Sequence, residues 1–264
     1  EVADPIQWIE DYRQQYRSPE IPGLPRFDGG LVGYFGYDSV RYFEPRLGPA
    51  PGEDVLGVPD ILLMRSEEVV VFDNLRGALF LVVHVDPRDG DAGKKAAQRL
   101  DALQAQLRAP LPEPEHTVYG EPVDESDFRS EFPEDQFKAG VEKVREYILA
   151  GDVMQVVPAQ RMSCPFQAPA LDLYRALRYL NPSPYMFYLD LGDFHIAGSS
   201  PEILTRAEQG SVTVRPIAGT RKRGANSEED QALEADLLAD PKEIAEHLML
   251  IDLARNDVGR VAKP

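Results

Sequence analysis

An α+β fold is predicted by three features of the sequence. Strand-like runs rich in Val, Ile, Leu and aromatics come in sets joined by short turns, as in "ILLMRSEEVVVFDNLRGALFLVVHV". Helical periods occupy separate stretches and do not alternate one for one with the strands, which argues against a regular βαβ layout. Neither a GxGxxG fingerprint nor a phosphate loop is present. The glycine-rich "GGLVGYFG" lacks both a Lys-Ser/Thr pair and a following helix.

The elements follow in order. Residues 3–17 carry Ile6, Ile9 and Tyr12 or Tyr16 near one helical face. "SPEIPGLPRFDGG" breaks that pattern, and "GLVGYFGYDSVRYFE" follows, rich in glycine and aromatics. Residues 60–86 read as strand, strand, turn, strand, with Asn74 to Gly77 as the turn and "DPRDG" closing the last strand. "AGKKAAQRLDALQAQLRA" is a helix of strong formers. In the second half, Phe137, Val141, Val144 and Ile148 recur at helical spacing and Gly151 ends the helix. "VMQVVPAQRMSC" reads as a strand bent at proline, and "ALDLYRALRYL" as an amphipathic helix. "NPSPYMFYLDLGDFHIAGS" gives a loop and then hairpin-like strands, and "EILTRAEQGSVTVRPIAG" continues the meander, with Glu208 to Gly210 as the turn. "NSEEDQALEADLLAD" is a helix that stops near Pro241, and another starts almost at once.

Three regions are expected: an amino-terminal part over 1–115, a linker over 116–133, and a carboxy-terminal region over 134–264. The linker is rich in proline and acids and has no period; His116 within it is read as a loop residue. The start without Met and the end at "RVAKP", directly after a patterned helix, read as cuts in a longer protein.

Composition narrows the function classes. The 43% hydrophobic fraction supports a real core. The formal net charge of -17 argues against nucleic acid as a partner, because phosphates need lysine and arginine. An anionic small molecule stays open, since a local basic pocket can sit inside an acidic protein. Cys164 is the single cysteine, so neither an intrachain disulfide nor a thiolate cluster is available, and a reducing cytoplasm fits. The amino-terminal stretch is too polar for a signal peptide, and "GALFLVVHV" is too short to span a bilayer.

Three motifs carry candidate chemistry. "DPKEIAEHLMLIDLARNDVGR", Asp240 to Arg260, places Glu243, Glu246 and His247 three and four residues apart, able to share a helical face. Grouped carboxylates suit a hard divalent cation, and Mg²⁺ takes one or two of them with water and substrate oxygens. The alternative is a solvated face with Lys242 as counter-charge; HExxH zinc spacing is absent. "PIAGTRKRG", Pro216 to Gly224, joins a flexible Gly219 and the Thr220 hydroxyl to the positive charge of Arg221, Lys222 and Arg223. It fits either a substrate carboxylate or an exposed basic turn. In "GSSPEILTR", Glu202 follows a strand, where catalytic groups are often mounted; the alternative is a surface acid paired with Arg206.

Together with "FDGGLVGYFGYDSVRYFE", "GDVMQVVPAQR" and "NPSPYMFYLDLGDFHIAGSSPE", these stretches resemble the chorismate-utilising enzymes, in particular the large components of anthranilate synthases. The resemblance runs in order along nearly the whole chain. It implies an α+β fold of the anthranilate-synthase type, with two antiparallel sheets flanked by helices and the active site between them, incomplete here at both ends. It implies conversion of chorismate and ammonia to anthranilate and pyruvate, with Mg²⁺ as cofactor. Ammonia would come from a separate glutamine amidotransferase subunit, and L-tryptophan would inhibit; neither nucleic acid nor membrane is implied.

Residue by residue, the resemblance makes Glu246 a Mg²⁺ ligand and Glu243 the acid that supports the metal, with His247 beside them among the catalytic residues. Glu202 becomes the general acid for the departing C4 hydroxyl. Ala218, Gly219 and Thr220 become the loop that touches substrate. Gln155 stands where isochorismate- and salicylate-forming relatives carry a water-activating lysine, so the neutral amide implies ammonia as nucleophile. Ala218 stands where aminodeoxychorismate synthases often carry a lysine able to form a covalent intermediate, which alanine cannot do. That enzyme and a non-catalytic tryptophan-binding fragment are the alternatives. Pro184, Tyr185 and Met186 match part of a tryptophan effector site, whose amino-terminal "LLES"-like half has no counterpart in these residues. The family's further catalytic histidine and second Mg²⁺-binding glutamate have none either, so the isolated 264 residues are expected to be inactive.

Overall fold

A computed structural model describes residues 2, 4–50, 52, 54–111 and 120–263. The chain divides into two units, Glu1–Glu113 and Pro114–Pro264.

In the first unit, helix α1 (Pro5–Gln15) starts at Asp4, whose side chain accepts from the Gln7 amide, and proline occupies its first turn. Trp8, Tyr12 and Tyr16 stack along it at successive turns. Strands β1 (Gly30–Phe35) and β2 (Ile61–Ser66) pair antiparallel, with Gly33 opposite Leu63. A 3₁₀ turn over Tyr37–Tyr42 fills part of the long connection between them. Strands β3 (Glu68–Asp73) and β4 (Ala78–Val83) form a hairpin around the turn predicted at Asn74–Gly77. Helix α2 (Ala92–Arg108) lies against β4, and Arg99 grips Glu68 of β3 through two parallel hydrogen bonds of 2.6 and 2.7 Å.

The second unit opens with a two-stranded ladder, β5 (Arg129–Ser130) with β6 (Met162–Ser163). Residues 129–130 lie within the expected linker, and two residues are too few to show a period. His116 lies outside the described residues. Helix α3 (Glu134–Ala150) ends at Gly151, whose φ of 80° is the left-handed cap that glycine adopts without a Cβ penalty. The strand expected over "VMQVVPAQRMSC" is not formed apart from Met162–Ser163; residues 153–161 run irregularly. Their apolar β-formers find no neighbouring edge to pair with, and propensity alone does not make a strand.

Helix α4 (Ala170–Leu180) packs on the hairpin of β7 (Tyr185–Asp190) and β8 (His195–Ser200), bringing the Tyr174 and Tyr188 rings to 5.9 Å. Strands β9 (Arg206–Glu208) and β10 (Ser211–Thr213) form the second hairpin, its two-residue turn at Gln209 and Gly210 having φ of 50° and 76°. Helices α5 (Ser227–Ala239) and α6 (Pro241–Gly259) follow with only Asp240 between them.

The α+β class and the antiparallel pairing are as the sequence predicts. The two larger sheets implied by the resemblance appear among the described residues as five two-stranded ladders, because no third strand joins any hairpin. Burial is correspondingly shallow: Ala92, Leu103 and Ser39 are the buried residues among those described, and each keeps some exposure. Among the described residues no helix is long and apolar enough to cross a membrane.

Candidate functional site

Helix α6 carries two acids within its packed stripe. Its half-buried positions are Glu243, Glu246, Met249, Leu250, Ala254 and Val258, one stripe at helical spacing. Ile244, Leu248, Ile251 and Leu253 are exposed instead. The two glutamates therefore sit on the packed side, and the Glu243 side chain is only 17% exposed. A solvated acidic face, the alternative reading of this helix, is not what forms. His247 is exposed on the same helix, so the face shared with the glutamates does not extend to it.

The helix is anchored at its start. Asp240 is the N-cap, its Oδ1 accepting from the Lys242 amide at 3.0 Å, with Pro241 in the first turn. Glu243 lies one residue further along and Glu246 one turn beyond it.

The "PIAGTRKRG" loop seats on this end of α6. At Gly219 a Cβ would fall 2.1 Å from Glu243 Oε2 and 3.1 Å from Glu243 Cβ. Glycine is needed there for close approach, and what approaches is the chain's own carboxylate. Ala218 and Gly219 are half-buried and Thr220 is exposed, which leaves the threonine hydroxyl open to a ligand.

Of the loop's three cations, Arg221 is turned inward, while Lys222 and Arg223 are exposed. Arg221 is 25% exposed and donates from Nε to Asp236 Oδ2 and from Nη2 to Asp240 Oδ2, both at 2.8 Å. Its Nη1 donates to the Thr220 carbonyl at 3.2 Å and stands 3.7 Å from Glu243 Oε1. Arg223 pairs with Asp230 at 2.6 Å, and the Gly224 amide donates to the same carboxylate at 2.8 Å. The two arginines read as candidates for a substrate carboxylate are thus engaged by acids of α5 and α6. The Arg221 guanidinium, and then the Lys242 amide, hold the Asp240 carboxyl below the usual aspartate range.

Gln155, from the irregular segment after α3, reaches α6. Its Nε2 donates a long hydrogen bond of 3.5 Å to Glu246 Oε1. The structure therefore joins Gln155 to Glu246 and the loop to Glu243 across wide separations in sequence. Near this point Met154, Thr213, Pro216, Asp252, Arg255 and Asn256 line an open cleft of about 960 Å³. The dense polar end of α6 faces that cleft, where Arg255 donates to Asp252 at 2.6 Å.

Glu202 lies two residues past β8. Its side chain is 15% exposed, and Arg215 Nε stands 3.5 Å from Oε1. Oε1 is shut off from solvent and makes no hydrogen bond among the described residues. The expected alternative partner, Arg206, instead donates to the Tyr185 hydroxyl at 3.1 Å. A shielded carboxylate oxygen without a hydrogen bond is costly to maintain, and the Arg215 cation beside it offsets part of that cost.

Pro184 and Tyr185 are exposed and Met186 is half-buried at the start of β7, with Tyr185 opposite Ser200 and Met186 opposite Ser199. Ser199 Oγ donates to the Asn181 carbonyl at 2.7 Å and Ser183 Oγ to the Ser200 carbonyl, while Ser200 Oγ donates to the Glu202 carbonyl at 2.9 Å. The candidate effector loop is thereby fastened to the strand that leads to Glu202.

For a divalent cation the donor set is suitable. Two half-buried glutamates at successive turns offer hard oxygen ligands, which Mg²⁺ accepts in small number. Among the described residues no three His, Cys, Asp or Glu side chains converge as a preformed metal cage. Sequence reasoning missed Asp236, Asp240 and Arg215, whose partners lie too far along the chain to be read from local spacing.

Comparison with known proteins places the chain in a family. A family model described as chorismate binding enzyme matches residues 2–264. Anthranilate synthase component 1 of Pseudomonas putida is 57% identical over 263 residues, which is 99% of this chain and 53% of that protein. The Pseudomonas aeruginosa protein of the same name is 56% identical over 99% of this chain and 54% of its own length. A crystal structure of anthranilate synthase component I from Streptococcus pneumoniae TIGR4 superposes with a TM-score of 0.82 at 36% identity, covering 97% of this chain and 55% of that one. The chain spans about half the length of the curated relatives it matches.

Proposed function

The chain belongs to the chorismate-binding enzyme family, and on that premise we propose that it supplies part of the active site of an anthranilate synthase large component. The reaction is chorismate plus ammonia giving anthranilate, pyruvate and water. The observation that carries the reading is the seating of the Ala218–Thr220 loop on the glutamate-bearing end of α6, which joins two motifs into one site.

Each residue has a task in this reading. Glu246 and Glu243 would hold Mg²⁺, which when bound neutralises and orients a substrate carboxylate. Gln155 donates toward Glu246 and cannot serve as a base for water, so the site leaves the nucleophile's place to ammonia. Glu202 holds a carboxyl oxygen away from solvent and out of any hydrogen bond, with Arg215 at ion-pair distance, and in this reading passes a proton to the C4 hydroxyl as it leaves. Thr220 presents its hydroxyl to the substrate beside Gly219. Ala218 cannot form the covalent adduct open to a lysine, which favours anthranilate over aminodeoxychorismate as product.

The same reading includes a glutamine amidotransferase subunit as the source of ammonia. It also includes tryptophan as an inhibitor bound near Pro184, Tyr185 and Met186, where an aromatic ring and a thioether suit an indole. His247, exposed on α6, would act at the mouth of the site.

The test is anthranilate fluorescence from the protein carrying this chain, given chorismate, saturating ammonium and Mg²⁺. Mg²⁺-dependent anthranilate formation is expected, with Glu202→Gln retaining chorismate binding and losing most turnover. A protein that binds chorismate but releases aminodeoxychorismate would reject the product assignment. One that binds neither chorismate nor Mg²⁺ would reject the site.

A further inference from the structure

We propose that Arg221 is a positioning residue that locks the Ala218–Thr220 loop and the amino-terminal end of α6 into one unit, holding Glu243 in register with Glu246. The proposal rests on the reading above, in which those two glutamates face a divalent cation.

The geometry is a four-way brace. One guanidinium reaches Asp236 near the end of α5, Asp240 at the N-cap of α6, Glu243 in the first turn of α6 and the carbonyl of Thr220 in its own loop. A guanidinium can satisfy these directions together because its donors diverge in a rigid plane. The Glu243 carboxylate is held between this cation and the backbone of Gly219, with its side chain only 17% exposed. A half-buried carboxylate in that position needs a nearby positive charge. Arg221 supplies it, with Nη1 at 3.7 Å from Glu243 Oε1.

Removing the guanidinium would leave Asp236, Asp240 and Glu243 without the cation they share, with their like charges unscreened. Glu243 would leave the Gly219 niche for solvent. The loop and the start of α6 would then move independently, and the two glutamates would no longer present a fixed pair. Lysine keeps the charge but lacks the planar fork, so Arg221→Lys should recover part of the arrangement. Arg223 provides the control. It pairs with Asp230, toward the other end of the loop, and among the described residues it makes no ion pair with Glu243.

The experiment uses the protein carrying this chain, with Mn²⁺ as the paramagnetic stand-in for Mg²⁺. Binding is read from the loss of the free Mn²⁺ spin-resonance signal. Backbone hydrogen exchange is followed over 216–224 and 240–250. Arg221→Ala should weaken Mn²⁺ binding by about tenfold or more, the usual loss when a group orienting a metal ligand is removed. It should also speed exchange in both segments together. Arg221→Lys should fall between Arg221→Ala and the parent, and Arg223→Ala should stay within about twofold of the parent in Mn²⁺ affinity.

Glu246→Gln separates the two levels of the argument. If it leaves Mn²⁺ binding unchanged, or the parent binds no Mn²⁺, the metal reading falls and the proposal with it. If Glu246→Gln abolishes binding while Arg221→Ala matches the parent, the metal reading stands and the positioning role is overturned. Should Arg221→Ala unfold, Arg221→Lys decides: parent-like affinity together with parent-like exchange overturns the proposal.

Discussion

The Glu243 carboxylate occupies the place where a side chain on Gly219 would begin, with Oε2 only 2.1 Å from the Cβ position. Loop and helix are therefore fitted to each other, and neither residue is free to vary alone. In Gly219→Ala the new methyl group meets Glu243 Oε2, Cδ and Cβ, and the Cβ contact at 3.1 Å does not swing away as a carboxylate tip can. The expected result is a folded protein whose Mg²⁺ requirement rises and whose turnover falls about a hundredfold, the scale of a misplacement of about 1 Å in a catalytic group. Titrating Mg²⁺ in the anthranilate assay checks it; an unchanged Mg²⁺ requirement would separate Glu243 from the metal.

Gly224 meets a harder boundary. A Cβ there would lie 2.3 Å from the Asp230 amide nitrogen and 2.7 Å from Asp230 Cα. Both belong to the backbone of α5 and cannot rotate aside. Gly224→Ala should cost about 1–3 kcal/mol, the usual range for forced overpacking. Two residues on, Asn226 caps α5 by accepting from the Glu229 amide at 2.9 Å, and Asn226→Ala should cost about 1 kcal/mol. Urea unfolding of both variants against the parent checks the order, and equal stability of Gly224→Ala and the parent would mean that the loop relaxes away from α5.

These contacts show where the sequence was legible. The hairpin of β3 and β4 is written in β-branched runs around Asn74–Gly77, and the end of α3 in Gly151, because each depends on neighbours a few residues away. The inward turn of Arg221 is not legible, since Asp236 and Asp240 lie 15 and 19 residues further along. The same limit hides the course of residues 153–161, whose apolar pattern suggests a strand while Gln155 is drawn toward α6. On α6 a hydrophobic pattern would bury Leu248 and Ile251, yet both are exposed and the glutamates are packed. A site that holds charge on its inner face must break the pattern by which cores are recognised. Helical spacing already grouped these two acids, but nothing local in the pattern says that they take the packed side.

Acid should loosen the brace in a defined direction. Arg221 holds the Asp240 carboxyl below its ordinary value of 3.8, with help from the Lys242 amide. A depressed carboxyl stabilises the folded form above its unfolded value, and that contribution is lost as pH falls through the lowered folded value. The Asp240 contribution should therefore be level from neutral pH down to about 5 and decline progressively below that, as pH falls toward the lowered folded value. Asn retains N-cap capacity but not the charge. Melting Asp240→Asn beside the parent should show a deficit at neutral pH that shrinks at pH 3; a deficit independent of pH would mean that Arg221 gains nothing from the charge.

The pairing of Gln155 with Glu246 gives the last prediction. The amide Nε2 stands 3.5 Å from Glu246 Oε1, close enough to orient the carboxylate and too weak to compete with a divalent cation. Gln155→Lys would set an ammonium beside the same oxygen. The new cation would neutralise Glu246 and repel Mg²⁺, so the Mg²⁺ requirement should rise by about tenfold, a coupling of ~1.4 kcal/mol. Gln155→Met removes the donor without adding charge and should change the requirement far less. Mn²⁺ binding measured on both variants separates charge from shape. Equal affinities for the Lys and Met variants would place the cation away from Glu246. A loss confined to the lysine variant would tie Glu246 to the metal through the charge set against it.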